Sequence, residues 1–238
     1  MSLYDFIWQR KSTRKYDTTP LDENLLEQIS QFAEQLKPLY PNIKMAYNIT
    51  SNVKTILPLK APHFFVISSE QNEGYLENVG FMFQQMDLFL SSLGLASCWY
   101  GGGKPASGVE TKLPFVIILA FGKAAGNPHR ELAEFKRKPL SAISNGHDER
   151  LEAARVAPSG VNFQNWFFEV SKGNIQVFQK KVLLGIYNKL GRIDIGIALC
   201  HLFLATEHNG GTFVFSKEAG IEKKGYVYIG TIQGEDSC

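Results

Sequence analysis

The chain has 238 residues, 44% hydrophobic and 20% charged, with 17 Phe and 9 Tyr, a balance that excludes a disordered or collagen-like polymer and can bury a sizeable core. Its 25 Lys and Arg stand against 23 Asp and Glu, and a net charge of +2 is too even for a polybasic nucleic-acid or membrane footprint, so any anion site must be local. The three cysteines, Cys98, Cys200 and Cys238, lack CxxC spacing and are odd in number, which fits a reducing cytoplasmic setting better than a disulfide scaffold.

The N-terminal MSLYDFIWQRKSTRKY lacks the apolar centre of a secretory signal, and no apolar run approaches the ~20 residues of a membrane span, so a soluble protein is expected. Ser2 can cap a short helix presenting Phe6 and Ile7, which runs into the basic cluster Arg10, Lys11, Arg14 and Lys15. Thr19-Pro20-Leu21-Asp22 reads as a cap, a proline at the first helical position and an acid in the first turn. Leu25, Leu26, Ile29, Phe32 and Leu36 follow at helical spacing. Residues 38–60, broken by Pro41 and Pro58, predict irregular structure with at most a short helix.

HFFVIS (63–68) is a buried-strand pattern, and 74–93 is apolar on nearly every side, predicting a core helix ended by Gly94. LASCWYGGG (95–103) predicts a short extended segment dissolving into glycines, and PFVIILAF (114–121) another buried strand. Beyond a polar loop, 148–156 predicts a helix stopped by Ala157-Pro158, since the residue before proline is pushed from the helical region. WFFEV and NIQVF form a hairpin through Ser171-Lys172-Gly173. Helices over 178–189 and 194–208 and strands at 212–215 and 226–232 complete the reading.

A repeat shows in pattern rather than identity. Asn78-Val79-Gly80 opens one buried helix and Asp194-Ile195-Gly196 another; Gly94 and Gly210 follow at equal spacing, and each helix is succeeded by an extended segment and then an apolar strand. The order of elements points to degenerate copies packed about a pseudo-two-fold, with the long helices at the seam.

Two stretches carry candidate chemistry. In an extended Arg10-Lys11-Ser12-Thr13-Arg14, residues 10, 12 and 14 point to one side, so two guanidiniums and a hydroxyl would converge as a phosphate-monoester clamp. Taken alone, such a cluster is more often a solvated basic run. Ala157-Pro158-Ser159-Gly160-Val161-Asn162-Phe163-Gln164-Asn165-Trp166 projects Ser, Asn and Gln groups suited to a heteroaromatic edge, although a single such loop is usually an ordinary turn. His129, His147, His201 and His208 have no metal-ligand spacing, and His201 reads as a satisfied core histidine, so no metal is expected. Cys98 and Cys200 read as small buried residues and Cys238 as a terminal thiol. No GxGxxG follows a strand at the right place, and no GK[ST] follows Gly101–Gly103.

Together these stretches resemble the FMN-dependent nitroreductase family. RKSTRKY is similar to its Arg-x-Ser-x-Arg signature, APSGVNFQNW to its Ala-Pro-Ser-x-x-Asn-x-Gln-Pro-Trp signature, LGLASCWYGG to its Gly-Leu-Gly-Ser-Cys-Trp-x-Gly-Gly element, and AFGKAAGNPHRELAEFKRKPL to its closing strand and basic phosphate segment. Ordinary members carry the Ala-Pro-Ser signature soon after the first helix and form homodimers. Here that slot holds LKPLYPNIKMAYN (36–48), which does not match, and the signature lies in the second half, with Asn165 in place of the signature proline. This order resembles the branch of the family in which one polypeptide looks like the whole dimer.

The resemblance implies an α+β fold, a mostly antiparallel or mixed sheet flanked by helices, in one unit of two pseudo-repeat halves, about 1–140 and 141–238. It implies that Arg10, Ser12 and Arg14 hold the FMN phosphate, closed over by Lys136, Arg137 and Lys138. Trp99, Tyr100, Gly101 and Gly102 would run along the isoalloxazine with a backbone N–H near Gly101 facing N5, and Pro158, Ser159, Gly160, Asn162 and Gln164 would come from the second half. Hydride from NADH or NADPH would pass through the flavin to a small acceptor such as a nitroaromatic or quinone, with no catalytic side chain required. One site per chain and a monomer are expected, a dimer being neither needed nor forbidden. A flavin-binding protein without reductase turnover is the alternative, with Tyr100, Phe163 and Trp166 closing the ring's substrate side; an interaction module that has lost FMN is a third.

Overall fold

The computed structural model describes residues 2–56, 58–182 and 185–234; part of the helix expected at 178–189, and Cys238, lie outside them. A capping box between Ser2 and Asp5 opens α1 (Leu3–Ile7). Helix α2 (Glu23–Ala33) is capped by Asp22, whose Oδ1 accepts from Leu25 N at 2.9 Å, so the cap lies at Asp22 rather than at Thr19-Pro20.

The segment expected to be irregular holds two strands, β1 (Met45–Thr50) and β2 (Val53–Thr55). All six residues of β1 are half-buried, which erases the two-residue alternation by which a strand is read. Next come β3 (His63–Ser69), α3 (Tyr75–Ser92), β4 (Ala96–Tyr100), β5 (Gly103–Pro105) and β6 (Phe115–Gly122). The polar connection then carries α4 (Leu140–Ile143), β7 (Ser144–Asn145) and a short α5 (Leu151–Arg155) before the hairpin β8 (Trp166–Ser171) and β9 (Asn174–Lys180).

The two helices expected at 178–189 and 194–208 are one, α6 (Gly185–His208), and residues 178–180 belong to β9. Gly191, between the two expected helices, is a point of close approach: a Cβ there would lie 2.5 Å from both Asn165 Nδ2 and Gln179 Nε2. The last described strands are β10 (Phe215–Ser216), later and shorter than the expected 212–215, and β11 (Tyr226–Ile232).

The first large sheet has the order β1-β3-β6-β4 and the second β10-β11-β9-β8-β7; β2 and β5 form a small separate ladder. In each large sheet a hairpin leads into a long helix, then an edge strand, then a strand returning beside the hairpin's second member. Every pairing in them is antiparallel except β7 with β8. One continuous core runs from Phe65 and Phe121 of the first sheet, through Val79 and Met86 of α3 and Ile197 and Leu202 of α6, to Phe168 and Val177 of the second. No helix among the described residues is long and apolar enough to cross a membrane.

Helices α3 and α6 cross at two glycines, and the contact is reciprocal. A Cβ on Gly80 would overlap Ile193 O and stand 3.1 Å from Gly196 Cα, while one on Gly196 would overlap Glu77 O. In each helix the opposed carbonyl lies one turn before the glycine. Because the obstacle is buried backbone that cannot rotate away, Gly80→Ala and Gly196→Ala should each lower stability by about 1–3 kcal/mol or more in urea denaturation. Gly126→Ala, whose Cβ meets open space, should leave the midpoint nearly unchanged.

Candidate functional site

The basic segment after α1 is held extended by isolated bridges from Arg10 to His129, Ser12 to Ser97 and Tyr16 to Ala124, with Thr13 N donating to Ser97 O at 2.9 Å. Arg10, Ser12 and Arg14 do not stand at one level. Arg10 is 1% exposed and reaches Asp87 of α3, Nε to Oδ2 at 2.8 Å, an ion pair made by proximity rather than by a directed hydrogen bond. Its Nη2 donates to Ser12 Oγ at 2.8 Å, and Asp87 Oδ1 accepts from Ser97 Oγ. Arg10 Nη1 is buried without a hydrogen-bond partner, whereas Arg14 is exposed.

Two more guanidiniums join this centre. Arg130 Nε donates to Arg10 O at 3.0 Å, and its guanidinium lies 4.0 Å over the Phe135 ring, with Arg137 5.6 Å from the same ring. Burial, and then the neighbouring arginines, push both Arg130 and Arg137 down to about 10. Asp87 is the only carboxylate paired with any of the three among the described residues. Arg130 and Asp87 were not selected from the sequence; Asp87 reads there as one more polar interruption of an apolar helix.

Arg137 ties this cluster to the Pro158–Gln164 loop. Its Nε donates to Ala157 O at 3.0 Å, Nη2 to Val156 O at 3.3 Å and Nη1 to Asn162 Oδ1 at 2.7 Å. Asn162 Nδ2 donates to Lys136 O at 2.7 Å, Lys138 N to Gln164 Oε1 at 2.8 Å, and Lys138 Nζ to Phe163 O at 2.8 Å and Gln164 O at 3.1 Å. Ser159 Oγ accepts from Gln164 N at 3.0 Å. These bonds hold three non-glycine residues at positive φ, Val161 (48°), Asn162 (58°) and Gln164 (49°). Such backbone costs on the order of 1–3 kcal/mol per residue and persists only where its surroundings over-determine it. Val161 is 80% exposed and Phe163 41%.

Beneath the loop, Asp194 of α6 accepts from Gly160 N with both oxygens, at 3.0 and 3.1 Å. The carboxyl is almost fully enclosed, and burial raises it from 3.8 to about 7. Asn78 holds the same place on α3, two residues before its crossing glycine, and its Oδ1 accepts from Leu39 N at 2.8 Å and Tyr40 N at 2.9 Å. The signal for this anchor was the Asn78 and Asp194 positions ahead of the repeated glycines.

Trp99 and Tyr100 end β4, and Gly101 follows them opposite Leu190 of α6. A Cβ on Gly101 would stand 3.2 Å from Leu190 Cδ2, so this exposed glycine lets the backbone lie close to α6. Trp99 Nε1 donates to Gln84 Oε1 at 3.2 Å, Gln84 Nε2 meets His201 Nε2 at 3.2 Å, and His201 Nδ1 meets Ala153 O at 2.8 Å. A carbonyl only accepts, so Nδ1 carries the proton and Nε2 accepts from the Gln84 amide. Burial holds this ring neutral, its pKa lowered to about 3. The network joins β4, α3, α6 and α5 with every member satisfied.

The sequence profile of the family described as "Putative TM nitroreductase" matches residues 2–206. A crystal structure titled a putative nitroreductase from Thermotoga maritima is 20% identical, spans 98% of this chain and 92% of its own, and superposes with a TM-score of 0.67. A nitroreductase family protein from Clostridium difficile 630 gives 19% identity, 62% and 99% coverage and a TM-score of 0.49. A nitroreductase with bound FMN from Bacteroides fragilis gives 16%, 52% and 89%, and 0.42. No curated protein matches the chain.

The raised carboxyl of Asp194 has a testable sign. A folded-state pKa of about 7 against 3.8 unfolded contributes stability that is complete below 3.8 and is lost as pH rises through about 7. Asp194→Asn keeps an acceptor for Gly160 N and removes the charge. The variant should therefore exceed the parent at pH 8 by up to about 4 kcal/mol in urea denaturation and differ little from it at pH 4.

Proposed function

The chain belongs to the family described as "Putative TM nitroreductase", and from that premise we propose that it is an FMN-dependent oxidoreductase drawing on NADH or NADPH to reduce a small acceptor such as a nitroaromatic or quinone. The observation that carries this reading is the arginine centre. Arg10, Arg130 and Arg137 lie close enough to lower one another's basicity, Asp87 pairs with Arg10 alone, and Arg10 Nη1 lacks a partner, so the centre is short of negative charge and of an acceptor. A phosphate monoester supplies both, because charge-assisted bonds to guanidinium are the strong ones. These residues fit the phosphate end of FMN.

Arg10, Ser12 and Arg14, with Arg130 and Arg137, would hold that phosphate, and Lys136 and Lys138 would raise the local positive potential. Trp99, Tyr100, Gly101 and Gly102 would border the ring from the first half, and Pro158, Ser159, Gly160, Asn162 and Gln164 from the second. Once bound, FMN supplies two-electron hydride chemistry that no amino-acid side chain offers. The protein's own part is to neutralise the phosphate, to keep Trp99 in place through Gln84 and the neutral His201, and to flank the entrance with the apolar Val161 and Phe163.

The halves at about 1–140 and 141–238 form two pseudo-repeats in this reading, supported by the matching strand order and the reciprocal glycine crossing. The two described thiols, Cys98 and Cys200, are both buried and free, in keeping with a reducing, cytoplasmic setting. One observation favours a reading without FMN, the interaction module: the polar groups of Asn162 and Gln164 are bonded within the protein.

A visible spectrum separates the readings. A reductase takes up about one FMN per chain and bleaches with NADH or NADPH under anaerobic conditions; a binder takes up FMN and stays yellow; absence of binding at any FMN concentration removes the cofactor from the proposal. Arg14→Ala, at the exposed end of the cluster, should weaken FMN binding by about 1.5–3 kcal/mol in a fluorescence titration, the usual contribution of a hydrogen bond to a charged group.

A further inference from the structure

The reciprocal crossing fixes which residues of the two halves correspond. Gly80 pairs with Gly196 and Asn78 with Asp194, and each polar residue anchors a loop: Asn78 takes Leu39 N and Tyr40 N, Asp194 takes Gly160 N. The loops align as Lys37-Pro38-Leu39-Tyr40 with Ala157-Pro158-Ser159-Gly160, proline matching proline. Tyr40 therefore stands where the other half has Gly160. Gly74 precedes Gly80 by as many residues as Leu190 precedes Gly196, so Gly74 stands where the other half has Leu190, the residue against Gly101.

The Tyr40 ring lies across that interval. A Cβ on Gly74 would meet three Tyr40 ring carbons at 2.6–2.9 Å. The ring also packs edge-on to Phe215, with centroids 6.1 Å apart, and Phe215 occupies the place of Trp99 in β10. Lys217, in the place of Gly101, is ion-paired to Glu73. A side chain growing from the position of Gly160 thus reaches the start of the long helix and fills the space between the anchored loop and the turn after the edge strand.

We infer that the fold carries two ring-sized positions related by the α3 and α6 crossing, that Tyr40 fills one as a built-in aromatic plug, and that Gly160 keeps the other open. This rests on the FMN reading. The residue at the Tyr40 and Gly160 position sets how many rings the chain accepts. Gly160 can take a side chain without backbone strain, since it is outside the left-handed region and the nearest atom to a Cβ there, Asp194 Oδ2, is 3.7 Å away.

The test transplants the plug in the full-length chain. Gly160→Tyr should retain the parent's circular dichroism and cooperative melting yet bind FMN at least about 100-fold more weakly. In the reverse direction, Tyr40→Ala should take up a second equivalent of lumiflavin, a ring without phosphate, where the parent takes up one. A parent that binds no FMN would overturn the function proposed above rather than the plug. A parent that binds FMN together with a folded Gly160→Tyr of equal affinity overturns the plug, as do two lumiflavins on the parent or one on Tyr40→Ala.

Discussion

The structure depends on a backbone contact between two helices at which neither side has room for a methyl group. Gly80 and Gly196 each face a carbonyl of the opposite helix, and that approach sets the separation of everything attached to α3 and α6. Such close crossing gains dispersion energy along both helices, whose buried apolar residues belong to the same core. It also puts Asn78 and Asp194 side by side with the crossing, so the loops they anchor inherit its geometry. The placement of the Pro158–Gln164 loop is thereby determined from α6, well away from the basic segment it meets.

Around this frame the energetics are electrostatic. Asp87 lies fully buried on α3 and draws Arg10 inward, and a pair of that kind is costly to break because either member alone would be an uncompensated buried charge. The pairing leaves the centre with more guanidinium than carboxylate, and Arg130 and Arg137 are held there by backbone carbonyls and the Phe135 ring rather than by acids. The charge imbalance is therefore built in by packing. The neutral His201 network beside it adds no charge and links the Trp99 strand to α5.

Much of this was legible in the chain. The long buried helix 74–93, the strands at 63–68, 114–121 and 226–232 and the hairpin through Ser171-Lys172-Gly173 follow from apolar runs and turn residues, and their structural counterparts differ by a residue or so. Strand β1 was not legible, because both its faces are half-buried and no alternation survives. The gap between the two expected helices falls at Gly191, a packing contact inside the continuous α6. At the candidate site, Lys136–Lys138 and Pro158–Gln164 were both named from the sequence, and the fold puts them in contact. That their polar groups bond to each other, and that Arg10 turns inward to Asp87, depend on pairings between distant residues that periodicity does not carry.

The two anchors at the crossing have a consequence for how such a chain can change. In an assembly of identical subunits, a substitution at one anchor is necessarily made at both, and the two loops must share one chemistry. With both anchors on a single polypeptide that coupling is gone, and here they differ: an amide at Asn78, whose bonds are indifferent to acidity, and an acid at Asp194 that titrates near neutrality. Each loop is thus free to be tuned alone, one fixed across the physiological range and the other responsive within it.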